Sequence, residues 1–168
     1  EGITPQTWWG RDFAGDNKIA RYEMKDLLPE NVFDTPKPAL LIERLLQIAT
    51  NGAGEEIVLD FFAGSCTTAH AVLRLNASDG GNRRFLMVQL PEPTPEGVQE
   101  RAPRMTTIAE IGKERIRRAI QQVNATAAAG NGTHGEHQDC GFRVFKLAPG
   151  HRRAWAGTTG ASPTDYIA

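Results

Sequence analysis

The chain has 168 residues, 40% of them hydrophobic and 23% charged, with two cysteines and a formal net charge of -1. No apolar run approaches the roughly 20 residues of a membrane span, two thiols make no disulfide framework, and a near-neutral charge gives no global pull toward nucleic acid. The expectation is a soluble protein of one domain's size in a reducing cytoplasm, without a secretion signal.

Residues 1–15 combine Pro5 and glycines with Trp8 and Trp9. They predict an irregular packed segment whose tryptophans are buried rather than free to stack on bases. Asp16 is an N-cap residue type, and Ala20, Met24, Leu27 and Leu28 follow at helical spacing until Pro29. Val32 and Phe33 read as extended, because Pro36 and Pro38 disfavour helix in the residues before them. Leu41, Leu45 and Ile48, with Leu40, Ile42 and Leu46 beside them, predict an apolar helix from about Pro38 to Thr50, capped by Asn51-Gly52. Ile57, Val58 and Leu59 suit a short strand buried on both faces and ending at Asp60. The small-residue turn Ala63-Gly64-Ser65 leads into a helix from Thr67 to Leu75, with Ala71, Val72 and Leu75 on one face.

Asn76 to Arg84 reads as a polar loop carrying the turn signal Asp79-Gly80-Gly81. Phe85 to Leu90 is the second buried strand, and a Pro/Glu-rich loop then runs to Met105. From Thr107 to about Val123, Ile108, Ile111, Ile116, Ala119, Ile120 and Val123 predict an amphipathic helix. Lys113, Arg115, Arg117 and Arg118 lie on its other face, read as solvated rather than as a phosphate contact. Ala125 to Gln138 reads as a flexible connector, Phe142 to Leu147 as a third strand, and the tail from Ala148 has no assignable pattern. A helix joining two strands implies parallel pairing with a right-handed crossover, hence an α/β unit of three parallel strands with the first at an edge. Bare edges of such apolar strands are a liability. With a start at Glu1 that is not methionine, they suggest a piece of a longer protein.

A glycine turn between strand and helix lets a ligand approach the backbone, while the first helical amides offer unpaired donors and partial positive charge. The dinucleotide pattern Gly-x-Gly-x-x-Gly/Ala maps onto Gly64, Cys66 and Ala69, with cysteine in the second glycine position, and a P-loop would need a lysine before Thr67. Spacing alone leaves open a small-ligand site and a merely tight turn. His134, His137 and Cys140 lack the paired spacing of zinc ligands, so no metal is expected. Sequons at Asn76, Asn124 and Asn131 have no meaning in a cytoplasm.

The stretch from Val58 to Val72, Val-Leu-Asp-Phe-Phe-Ala-Gly-Ser-Cys-Thr-Thr-Ala-His-Ala-Val, resembles the S-adenosylmethionine-binding motif I of the DNA adenine-N6 methyltransferases that serve as modification subunits of type III restriction-modification systems. Phe33-Asp34-Thr35-Pro36-Lys37-Pro38, with Leu41-Ile42 and Leu45 to Thr50, is similar to that family's motif X, which precedes motif I in the permuted order of the class. Gly81 to Glu92, Thr107 to Ile111, Lys113 to Ala119 and Gly141 to Leu147 are similar to its later strands and helices, so the resemblance runs in order from about Thr7 to Trp155.

The resemblance implies a partial Rossmann-like S-adenosylmethionine-dependent methyltransferase fold, with parallel strands one to three and flanking helices. It implies one incomplete domain over 1–168: an N-terminal loop and helix (1–32), the motif X segment (33–52), motif I and the following elements (53–147) and an irregular tail (148–168). Asp60 and the backbone of Phe61, Phe62, Ala63 and Gly64 would hold the methionyl end of S-adenosyl-L-methionine. Thr35, Lys37 and Pro38 would close that end and Phe33 would line the pocket. Gln89 and Glu92 are both candidates for the ribose hydroxyls, and His70 is a packing residue.

The family's Asp-Pro-Pro-Tyr motif, which holds the target amine and stacks on the flipped base, is not in the chain; Ser162-Pro163-Thr164-Asp165-Tyr166 has the wrong order and position. No catalytic residue is therefore assigned. The implied partners are double-stranded DNA, the missing N-terminal half with the catalytic motif and target-recognition region, a second modification subunit and a restriction subunit, with no membrane. Two function classes stand. One is part of a DNA adenine methyltransferase, inactive alone; the other is a degenerate or truncated module that only binds cofactor or packs, with methylation of another substrate a distant third. Cys66 would put a side chain where the family keeps the backbone bare, weaken cofactor binding, and add strain if the position needs positive φ.

Overall fold

A computed structural model of the chain describes residues 7–52, 54, 56–128 and 140–148. The N-terminal stretch is less buried than its tryptophans predict. Trp8 is exposed, and Trp9 stacks edge-on against Phe13 of a short helix, α1 (Arg11–Ala14), with ring centroids 5.4 Å apart. Asp16 then caps α2 (Asn17–Leu27) by accepting from Ile19 N at 2.8 Å. α3 (Ala39–Ala49) has no cap from its own N-cap residue, Pro38; Glu23 of α2 accepts from Ala39 N at 3.0 Å instead.

β1 (Ile57–Asp60) and β2 (Arg84–Met87) form a parallel pair in which Val58 lies beside Phe85 and Asp60 beside Met87. Between them α4 (Thr67–Asp79) supplies the crossover, as the strand-helix-strand order predicts. Its end lies beyond Leu75, and the polar loop begins later than expected. Asn76 is buried, accepting from Arg83 N and donating to Arg83 O, so its amide is satisfied inside and the helix continues to Asp79 and a left-handed cap at Gly80.

Burial on both faces of the strands is corrected by the structure. Val58, Phe85 and Met87 face inward, whereas Ile57, Leu59 and Leu86 are exposed. The reason is where the cover lies: α3, α4 and α6 (Ile108–Ala128) all pack on the inward residues. The third strand is also corrected. Among the described residues nothing pairs with 142–147 as a strand; Phe142 leans on the α4–α6 cluster, and Phe145 and Leu147 are exposed. Among the described residues the sheet has two strands.

The loop before α6 is more ordered than its prolines suggest. It holds α5 (Glu96–Arg101), and Val98, Ala102 and Met105 close a core with Met24, Leu28, Val32 and Ile111. Thr94 ties its ends together, donating from its N to Thr106 O at 3.0 Å and from its hydroxyl to Met105 O at 2.7 Å. α6 runs past Val123 into Ala125–Ala128, where alanine favours helix; the rest of the proposed connector, with His134 and His137, and the tail beyond residue 148 lie outside the described residues.

Candidate functional site

The turn after β1 is built from both strands. Asp60 accepts from Phe62 N at 3.1 Å through one carboxylate oxygen and from Thr68 Oγ1 at 2.6 Å through the other, fastening the end of the strand to the start of α4. From the end of β2, Gln89 Oε1 accepts from Gly64 N at 2.8 Å and Val88 O from Ala63 N at 3.1 Å. Gly64 adopts φ 52°, a left-handed value that favours glycine, and a Cβ placed there would lie 3.6 Å from Phe33 Cζ. Asp60, Ala63, Gly64, Gln89 and Phe33 therefore meet at one place.

Other expected site residues sit differently. Phe61 and Phe62 are exposed, 64% and 90%, at the mouth of the turn. Thr35 and Lys37 are exposed and Glu92 has an exposed side chain, while Pro38 is buried against the glycine at position 15. His70 is buried as expected, and burial, reinforced by the Arg115 and Arg74 charges, draws its pKa down to about 3, leaving a neutral imidazole at physiological pH.

Cys66 takes φ 59° and ψ 41°, so the position does demand a positive φ. Its thiol is buried, which pushes its pKa up to about 11 despite the Arg115 charge, and Gly112 of α6 is where it packs: a Cβ on Gly112 would lie 2.6 Å from Cys66 Sγ and 3.2 Å from Gly64 O. The side chain thus points into α6 and not out at the open mouth of the turn.

The solvated basic face of α6 holds for exposed Arg117 and is corrected at Arg115. Arg118 pairs with Glu30 at 2.7 Å and with Glu114 at 2.8 Å, Lys113 pairs with Glu110, and Arg115 is fully buried, donating to Ser65 Oγ at 3.0 Å and Thr67 Oγ1 at 2.7 Å. Arg115 is the site residue that the sequence reading missed. The signal was there: it lies four residues after Ile111 and four before Ala119, on the buried stripe of the helix. Among the described residues no cluster of histidine, cysteine and carboxylates could hold a metal ion, and no helix is long and apolar enough to cross a membrane.

A family model described as DNA methylase matches residues 2–122. The chain is 37% identical over 148 residues, 88% of its length, to the type III restriction-modification enzyme StyLTI Mod subunit of Salmonella typhimurium. It is 37% identical over 139 residues, 82% of its length, to the EcoP15I Mod subunit of Escherichia coli. To the type II methyltransferase M.KpnI of Klebsiella pneumoniae it is 35% identical over 91 residues, which is 54% of this chain and 21% of that protein. The chain spans about a fifth of the two Mod subunits, 21% and 19% of their lengths.

Proposed function

The chain belongs to the DNA methylase family, and from that premise we propose that it is the S-adenosylmethionine-binding part of a DNA adenine-N6 methyltransferase of the type III modification-subunit kind. One observation carries the reading: Gln89 and Phe33 meet at a left-handed Gly64 whose backbone is bare toward the Phe33 ring, in a turn that Asp60 fastens through Phe62 N and Thr68 Oγ1. That cradle fits a polar ligand with one apolar flank, and a side chain at Gly64 would fill it.

Asp60 and the backbone of Phe61, Phe62, Ala63 and Gly64 hold the methionyl end, Phe33 lines the pocket, and exposed Thr35 and Lys37 close over it from a segment anchored by Pro38. Gln89 Oε1 accepts from Gly64 N and keeps a second acceptor position, and Glu92 has an exposed carboxylate, so both are acceptors open to the ribose hydroxyls. The bound cofactor supplies an electrophilic methyl group. Residues outside this chain hold the adenine amine, since the Asp-Pro-Pro-Tyr motif is not within it. Those parts cover the apolar face of β1 and β2, extend the sheet toward a full Rossmann-like one, and bring duplex DNA. A second modification subunit and a restriction subunit complete the assembly in the cytoplasm, where both thiols stay reduced.

Calorimetric titration of the chain with S-adenosylmethionine tests this. Saturable binding is expected, weakened about tenfold or more by Asp60→Ala, which removes the acceptor for Phe62 N and Thr68; no binding to the wild-type chain overturns the cofactor reading. With labelled cofactor and DNA the chain alone transfers no methyl group, and incorporation into adenine would contradict that. A degenerate or truncated module that binds cofactor weakly or only packs is the second reading, favoured by a cysteine at a left-handed position where the family motif has glycine; weak or absent binding in the same titration supports it.

A further inference from the structure

Arg115 has no solvent-exposed surface, and a guanidinium is among the costliest groups to strip of water. Among the described residues no carboxylate pairs with it. Nη1 reaches the two hydroxyls of Ser65 and Thr67, while Nε and Nη2 have no hydrogen-bond partner among the described residues. Burial draws its pKa down to about 10, with the Glu23 charge opposing, so it stays protonated at neutral pH. A methionine would fill similar space without the desolvation cost. What the guanidinium adds is a pair of charge-assisted hydrogen bonds, and both land on the turn.

They land on either side of one residue. Ser65 and Thr67 flank Cys66, which holds a left-handed conformation that L-residues other than asparagine and aspartate seldom adopt. Such a conformation persists where its surroundings over-determine it. The same helix makes a second close approach one turn earlier, where Gly112 leaves room for Cys66 Sγ and Gly64 O.

We infer that Arg115 is the positioning residue of the glycine turn: by clamping Ser65 and Thr67 from α6 it holds Cys66 left-handed and keeps the backbone from Gly64 to Thr67 in the shape that receives the cofactor. The inference rests on the reading of this turn as the S-adenosylmethionine site. It adds a requirement that motif I alone does not contain, a cation delivered from a helix some 50 residues downstream.

The test uses the full 168-residue chain with Arg115→Met, Arg115→Lys, Cys66→Gly and the Arg115→Met/Cys66→Gly double variant, read by amide hydrogen exchange and by calorimetry with S-adenosylmethionine. Arg115→Met speeds exchange of the amides at 63–68 about tenfold or more, leaves the interiors of α4 and α6 unchanged, and weakens cofactor binding by a similar factor. Cys66→Gly in the double variant restores much of both, because glycine is at home at positive φ. Should Arg115→Met fail to fold, Arg115→Lys carries the same comparison with a single ammonium in place of the fork. Unchanged exchange at the turn overturns the inference. So does faster exchange spread evenly over α4 and α6 that Cys66→Gly leaves in place, since that is lost packing. A wild-type chain that binds no cofactor overturns the reading of the site, and the exchange comparison then judges the clamp by itself.

Discussion

The two faces of the β1–β2 pair carry equally apolar side chains and meet opposite fates. On one, α4 is sealed between α3, α6 and the strands, with Ala69, Ala71 and Val72 at 0% exposure. On the other, Ile57, Leu59 and Leu86 stand 60%, 45% and 52% exposed. The strand residues are alike in chemistry, so the difference lies in the supply of covering elements: every long helix that reaches the sheet lies on the same side. A strand's residues state the contacts it is built to make, and an uncovered apolar face marks contacts that the described residues do not supply.

Three measurements break or sharpen that contrast. On the sealed face Leu75→Ala is expected to cost about 3 kcal/mol in urea unfolding, because the helix and the strands around it cannot collapse into the space; a loss under about 1 kcal/mol would show a face less sealed than its burial implies. Acid should strike the same face next. His70 is neutral in the folded chain, its pKa moved from 6.5 to about 3, so between those values the unfolded chain binds a proton that the folded chain refuses. Stability is therefore full above about pH 6.5 and falls as the pH drops toward 3, with His70→Leu flattening that limb in unfolding midpoints compared at pH 7 and pH 5. The smallest effect belongs to the bare face, where Leu59→Ala is expected to change stability by no more than about 0.5 kcal/mol. A larger cost there would mean that Leu59 is covered in solution.

Much of the helical side was legible from periodicity. α2, α3, α4 and α6 each announce themselves by apolar residues at three- and four-residue spacing, and the strand-helix-strand order correctly implied the parallel pair. The end of the first strand at Asp60 and the glycine turn at Gly64 were legible as a tight strand-to-helix turn, while their reading as motif I came from the resemblance and not from spacing. Contacts between segments distant in the sequence were not legible. Nothing local says that Gln89 folds back onto Gly64, that Val98 and Met105 close a core with Met24, or that Arg118 pairs with Glu30; for Arg115 the buried stripe of the helix was legible, and its partners Ser65 and Thr67 were not. The third strand failed for the converse reason: Phe142 to Leu147 has a strand's composition, yet strand structure is a property of a pair, and the second member is not among the described residues.

The fit of Cys66 against Gly112 couples two positions far apart in the sequence: a Cβ at 112 would lie 2.6 Å from Cys66 Sγ and 3.2 Å from Gly64 O. An alanine at 112 is therefore expected to turn the thiol aside and press on the Gly64 carbonyl, so residues 66 and 112 answer for one small volume shared between α6 and the turn.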